Sequence, residues 1–158
     1  MIINLPIMII KKTMSLTKPY VHIDGNVASS KNGKVWTGKF LVHSKQTQAY
    51  IKESKPDYIY NKDRFLELLQ DKTAPYHISF RFIRKSKHKF DYVNPLQMVL
   101  DLMVDYGYIE DDNADVIIPY FETYEYDKEN PGCFITVLTD AQGKGIQDII
   151  NNPDYSPE

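Results

Sequence analysis

Between Ile78 and Tyr124 the spacing of apolar side chains changes period twice, and that restricts the chain to few architectures. Ile78, Phe80 and Phe82 alternate with Ser79 and Arg81, the period of a half-buried strand. Leu96, Val99, Leu100 and Met103 then share one helical face, while Gln97, Asp101 and Asp105 line another at i, i+4, i+8. The spacing predicts a helix with Asn94 as N-cap and Pro95 at its first position, ended by Gly107. Residues 116–124 return to a strand, where Pro119 asks for a sheet edge or a bulge. A strand–helix–strand crossover of this kind can bring its two connecting loops to one end of a sheet.

Shorter elements surround this unit. Tyr20-Val21-His22-Ile23 alternates and ends in the turn Asp24-Gly25-Asn26, with residues 35–43 as the expected partner strand. Ser44 is a candidate N-cap for a polar helix over 46–53, which Lys55-Pro56-Asp57 should stop. A stronger helix is expected over 61–71, with Phe65, Leu66, Leu68 and Leu69 on its apolar side. The turn Asn130-Pro131-Gly132 should lead into a strand over 133–138, antiparallel to 116–124, and one short helix is expected around 146–150. The expected fold class is α+β, a small mixed sheet of about four to five strands with about two to three helices. The domain is placed at 18–138, between an N-terminal extension over 1–17 and a C-terminal tail over 139–158.

With 158 residues the chain fits one domain. At 42% hydrophobic and 25% charged it has the composition of a globular protein and not of a disordered one. A net charge of −2 is not that of a general DNA-coating protein. The single cysteine, Cys133, excludes an intrachain disulfide framework and a Cys-rich zinc site, and its apolar neighbours place it in the core. The apolar start at 1–10 lacks a basic leader and is too short to span a bilayer. It reads as an extension or an extra edge strand, with Met14 as an alternative start, and the protein is expected to be cytoplasmic.

Charge is distributed unevenly. Arg81, Arg84, Lys85, Lys87 and Lys89 fall within 81–89 with no acid among them, and Asp91 follows directly. Asp105, Glu110, Asp111, Asp112 and Asp115 cluster after the predicted helix. Carboxylates from two loops can hold a hard divalent cation, and basic side chains beside them can hold a phosphate backbone. The bland alternatives are a turn residue at Asp91, a polar loop at 111–112 and a solvated basic face. The four histidines show no ligand spacing, and the chain has no glycine-rich phosphate loop. Tyr92, Tyr106 and Tyr108 flank the acidic and basic segments and could stack on bases, although core or rim packing is the ordinary role of such residues.

Asp91-Tyr92-Val93-Asn94, then Asp101-Leu102, then Ile109-Glu110-Asp111-Asp112 resembles the central motif of the RusA-like Holliday junction resolvases. That motif runs Asp-x-Asp-Asn, a Lys three residues on, Asp-Ala-Leu, then a Gly and an Asp-Asp pair. Residues 25–32, followed by Ser44-Lys45, are similar to the family's Pro-Ser-x-Asn opening and later Ser-Lys. The resemblance covers roughly residues 18–138. It implies a Mg²⁺- or Mn²⁺-dependent endonuclease acting on four-way DNA junctions, with Asp91 and Asp112 as metal ligands and Asp111 behind them.

Two positions depart from the pattern: Val93 stands where the family has its second Asp, and Gln97 where it has the Lys that assists cleavage. Asp101 is open between a third ligand, an acceptor behind the ligands and a solvated residue. Either the site is rebuilt, with Asp101, Glu110 or Asp111 replacing the lost ligand around Gln97, or the protein binds branched DNA without cutting it. Lys31, Lys45, Arg84, Lys85, Lys87 and Lys89 are the expected phosphate contacts. The resemblance also implies a homodimer, for which Met98 and Leu102, off the core-facing stripe, and the Ile-rich start offer interface material.

Overall fold

The computed structural model describes residues 18–29, 31 and 33–152. The extension expected over 1–17, with Met14, lies outside the described residues. Strands β1 (Tyr20–Asp24), β4 (Tyr76–Arg84), β5 (Ile117–Phe121), β6 (Glu125–Tyr126) and β7 (Gly132–Val137) form one mixed sheet. Its order is β1-β7-β4-β5, with β6 continuing β5 along the same side of β4. A separate hairpin pairs β2 (Lys34–Trp36) with β3 (Leu41–His43). Three helices, α1 (Lys45–Leu69), α2 (Val93–Asp105) and α3 (Asp140–Asn151), complete a small α+β fold.

Hydrophobic periodicity explains the sheet. Ile78, Phe80 and Phe82 of β4 are fully buried and meet Ile135 and Cys133 of β7 and Ile23 of β1 beneath α1 and α2. β4 lies parallel to β5 with α2 as the crossover, and Pro119 sits on that outer strand, where its missing N–H costs no ladder bond. β7 is antiparallel to β4 and β1, not to β5 as expected, so it fills the place beside β1 that residues 35–43 were expected to take. Those residues are instead broken by Gly38, at φ 93°, into the two arms of the hairpin.

Pro56 does not stop α1. The helix runs unbroken for 25 residues, where two helices were expected. Pro56 costs about 3 kcal/mol inside a helix. Tyr50 and Ser54 before it and Tyr58, Phe65 and Leu69 after it are all buried, and each large apolar side chain buried contributes about 1.5–3 kcal/mol. The core on both sides therefore outweighs the break. Ser44 caps the helix as expected, accepting from the Thr47 amide at 3.2 Å.

α2 begins at Val93, two residues before the expected Pro95, with Tyr92 and not Asn94 at the cap and no side-chain cap bond. Pro95 still falls in the first turn, where its missing N–H has no partner to lose. The helix ends as expected at Gly107, φ 72°, in a Schellman motif: Tyr108 N–H donates to Met103 O (2.8 Å) and Gly107 N–H to Val104 O (3.0 Å). Met98 and Leu102, expected on the surface, are 4% and 3% exposed, because α2 meets α1 on that side and the sheet on the other. They supply no dimer surface.

α3 is longer than the helix expected around 146–150. Thr139 and Gln142 form a capping box, and Gly143 lets the helix press against the His77 ring on the outer face of the sheet. Gln147 donates to the Tyr120 hydroxyl at 3.0 Å and Tyr120 is bonded to His77 Nδ1 at 2.7 Å, so Asp140–Asn151 of the segment assigned to a tail form a docked helix. Among the described residues no helix is long and apolar enough to cross a membrane.

Candidate functional site

The exposed stripe of α2 carries the first cluster. Gln97 and Asp101 lie one turn apart, and Gln97 Nε2 donates to Asp101 Oδ1 at 2.8 Å and to Asp112 Oδ2 at 3.2 Å. One amide nitrogen therefore gathers two carboxylates from a helix and a loop. The Schellman turn makes this possible by reversing the chain after Gly107, which carries residues 110–113 back along the helix. Asp101, Asp105, Asp111 and Asp112 line a cleft of about 340 Å³ with Lys34 and His43 of the hairpin, over an apolar floor that includes Ile51, Met98 and Leu102.

Asp111 shapes its loop. Its Oδ1 accepts from the Asp112 amide at 2.7 Å and its Oδ2 from the Asn113 side chain at 2.9 Å. The backbone bond from Asp112, then the Asn113 bond, hold its carboxyl below the usual carboxylate range. One bond to each oxygen orients the Asp111 carboxylate and ties it to Asp112, while leaving each oxygen a further lone pair. Glu110 lines a different cleft with Leu66, Tyr76 and Tyr108.

Asp91 stands apart. It lines a second cleft of about 680 Å³ with Ser29, Lys31, Arg84, Lys89 and Asn94, and it accepts from the Asn94 side chain at 3.4 Å. The two expected ligands line different clefts beside the same helix, Asp91 by its first turn and Asp112 by Gln97. Val93, in that first turn, is 62% exposed and presents no polar atom. Among the described residues no three His, Cys, Asp or Glu side chains converge as a metal-binding group.

The basic residues separate by role. Arg84 is half-buried; burial holds its guanidinium below its usual range, it donates to Val27 O at 2.8 Å, and it stacks 4.9 Å from the Phe90 ring. The Lys85 amide donates to Asn26 Oδ1 at 3.0 Å. These bonds fasten the loop at 25–29 to the end of β4, which is why Ser29 and Lys31 reach the Asp91 cleft. Lys87 lies 4.9 Å over the Tyr126 ring, and Lys45 sits exposed at the start of α1. Lys31 and Lys89 share the Asp91 cleft, and Lys85 lines a neighbouring one.

The flanking tyrosines pack as such residues ordinarily do. Tyr108 is buried and donates to Tyr58 O at 2.7 Å, Tyr106 stacks on Tyr58, and Tyr92 joins Phe90, Phe121 and Tyr124 at the rim of the Asp91 cleft. Lys34 and His43 were not anticipated in the site, because residues 35–43 read as a strand of the main sheet. The signal that could have revealed them was Gly38, a turn residue in mid-strand.

A hard divalent cation is compatible with the Gln97 cluster. Mg²⁺ ordinarily takes one or two protein carboxylates and completes its shell with water and substrate phosphates. Asp101 and Asp112, within hydrogen-bonding distance of the same nitrogen, supply that number of oxygen donors. No protein-family model and no curated protein matches the chain.

Proposed function

We propose that this chain is a divalent-metal-dependent endonuclease acting on branched DNA, a divergent relative of the RusA-like resolvases. One observation carries the reading: Gln97 joins Asp101 and Asp112, three positions of the resemblance brought together from two elements. Asp101 and Asp112 would hold Mg²⁺ or Mn²⁺, which when bound supplies Lewis-acid chemistry at the scissile phosphate. Gln97 orients both carboxylates and can donate to phosphate, without the charge of a lysine. Lys31 and Lys89 hold the backbone in the neighbouring cleft, where Asp91 and Asn94 face it. Paired nicks in a four-way junction call for two copies of the site, so the acting species is a homodimer.

The test is incubation of a synthetic four-way junction with the full chain in Mg²⁺, in Mn²⁺ and in chelator, beside Asp112→Asn. The expected result is cleavage that needs both the metal and Asp112. Junction binding with no cleavage under either metal would overturn the nuclease and leave a junction-binding protein of the same fold. Light scattering should give about twice the 18.4 kDa chain mass.

A further inference from the structure

The β2–β3 hairpin carries apolar surface that folding does not use. Val35, Trp36, Phe40 and Leu41 are 51%, 66%, 69% and 59% exposed, and the hairpin forms no ladder with the main sheet. A lone two-stranded hairpin is marginal in water, and an exposed apolar one invites aggregation. Its charge is as uneven as its hydrophobicity: Lys34 and Lys39 lie within it, Lys31 and Lys45 flank it, and no acid falls between Asp24 and Glu53.

Register fixes which side chains share a face. Lys34 pairs with His43 and Trp36 with Leu41, so these four lie on one face while Val35 and Val42 take the other. Lys34 and His43 line the carboxylate cleft, and Trp36 and Leu41 continue the same face two residues further toward the tip. The tip closes through Thr37 N–H to Phe40 O at 2.9 Å, with Gly38 at the positive φ a two-residue hairpin loop favours. A lysine at the cleft wall, then an exposed indole, is the order met by a polyanion whose bases are free to stack.

We propose that the β2–β3 hairpin is an arm that binds single-stranded or locally unstacked DNA, with a base stacked on Trp36 and the flanking phosphates on Lys34 and Lys39. The choice of a nucleic-acid strand over a protein partner rests on charge: Lys34 and Lys39 in a hairpin without an acid complement phosphate, and an aromatic face stacks on any base. The inference depends on the DNA-binding half of the function proposed above and is independent of cleavage.

Trp36 is the chain's single tryptophan, so its emission reports on the hairpin alone. The experiment titrates the full chain with a labelled single-stranded oligonucleotide and with a blunt duplex of equal length, reading label anisotropy and tryptophan emission together. Emission should be quenched in step with binding of the single strand and much less by the duplex. Trp36→Ala should weaken single-strand binding about ten-fold, with duplex affinity and thermal midpoint unchanged, and Trp36→Phe should recover most of the loss. Binding without quenching would overturn the arm and leave the DNA reading standing. No binding to either DNA would overturn both. Concentration-dependent emission without DNA, accompanied by a dimer that Trp36→Ala abolishes, would make the hairpin a contact between copies and overturn the proposal.

Discussion

Gln97 donates its side-chain amide to Asp112 across 3.2 Å, tying α2 to a loop fifteen residues further along the chain. The same nitrogen reaches Asp101 at 2.8 Å, so a neutral group holds two carboxylates that would otherwise repel each other. An ammonium at this point would hold both and also attract the scissile phosphate. Gln97→Lys should therefore raise metal-dependent junction cleavage about ten-fold or more, read as a single-turnover rate. Gln97→Ala should lower metal affinity by freeing both carboxylates. An unchanged rate in the Lys variant would mean that charge at this position contributes nothing to the chemistry.

Lys31 and Lys89 face the Asp91 cleft, whereas Arg84 is committed to Val27 and Phe90. Lys31→Ala with Lys89→Ala should weaken DNA binding equally for all sequences and reduce the salt slope by about one unit for each phosphate no longer neutralised. The thermal midpoint should hold. Arg84→Ala should instead lower the thermal midpoint, because it removes a packed guanidinium and leaves the Val27 carbonyl without that donor. Melting curves beside salt titrations separate the two kinds of residue.

The crossover was legible because its periodicity is local: Phe80, Leu96 and Met103 each announce their element within a few residues. The partner of β1 was not, because strand order is set by the whole core and β7 lies more than a hundred residues away in the chain. Pro56 misled for a related reason, since its local cost is visible and the burial of Tyr58 and Phe65 that offsets it is not. In the site, Gln97, Asp101 and Asp112 could be named from pattern, and their meeting depended on the Schellman turn at Gly107. That Asp91 and Asp112 line different clefts was hidden, because an element order fixes which loops are neighbours and not which way each one folds back. Met98 and Leu102 looked free on a helical wheel drawn for one covering layer, but α2 has two.

Tyr108 and Tyr58 offer a matched pair of hydroxyls. The Tyr108 hydroxyl donates to Tyr58 O at 2.7 Å in the core, while the buried Tyr58 hydroxyl faces the Tyr50 hydroxyl without a well-formed hydrogen bond. Tyr108→Phe should cost about 1 kcal/mol, the net value of one such bond. Tyr58→Phe removes a desolvated hydroxyl whose contact with the Tyr50 hydroxyl is poorly formed, and should be neutral or slightly stabilising. Urea midpoints of the two variants should fall on opposite sides of the parent, or one on it and one below.

Burial, before any neighbouring charge, raises the ionisation of Tyr50, Tyr58 and Tyr108 well above the ordinary tyrosine range, and it does the same to the Cys133 thiol. In the unfolded chain these tyrosines lose their protons near pH 10, while the folded chain keeps them. Above that point the unfolded state binds fewer protons than the native state, so stability falls as pH rises. Below it the two states are protonated alike at the tyrosines, whose contribution is fully present, while the Cys133 thiol, ordinarily ionised near pH 8.5 in an unfolded chain, begins to lower stability from about that pH. The urea midpoint should accordingly be insensitive to these residues up to about pH 8, fall slightly with Cys133 above that, and decline steeply beyond about pH 10. Tyrosinate absorbance supplies the independent reading: of the twelve tyrosines, the buried three should ionise only as the circular dichroism of the fold is lost. Their titration ahead of unfolding would contradict the packing of α1 against the turn that follows α2.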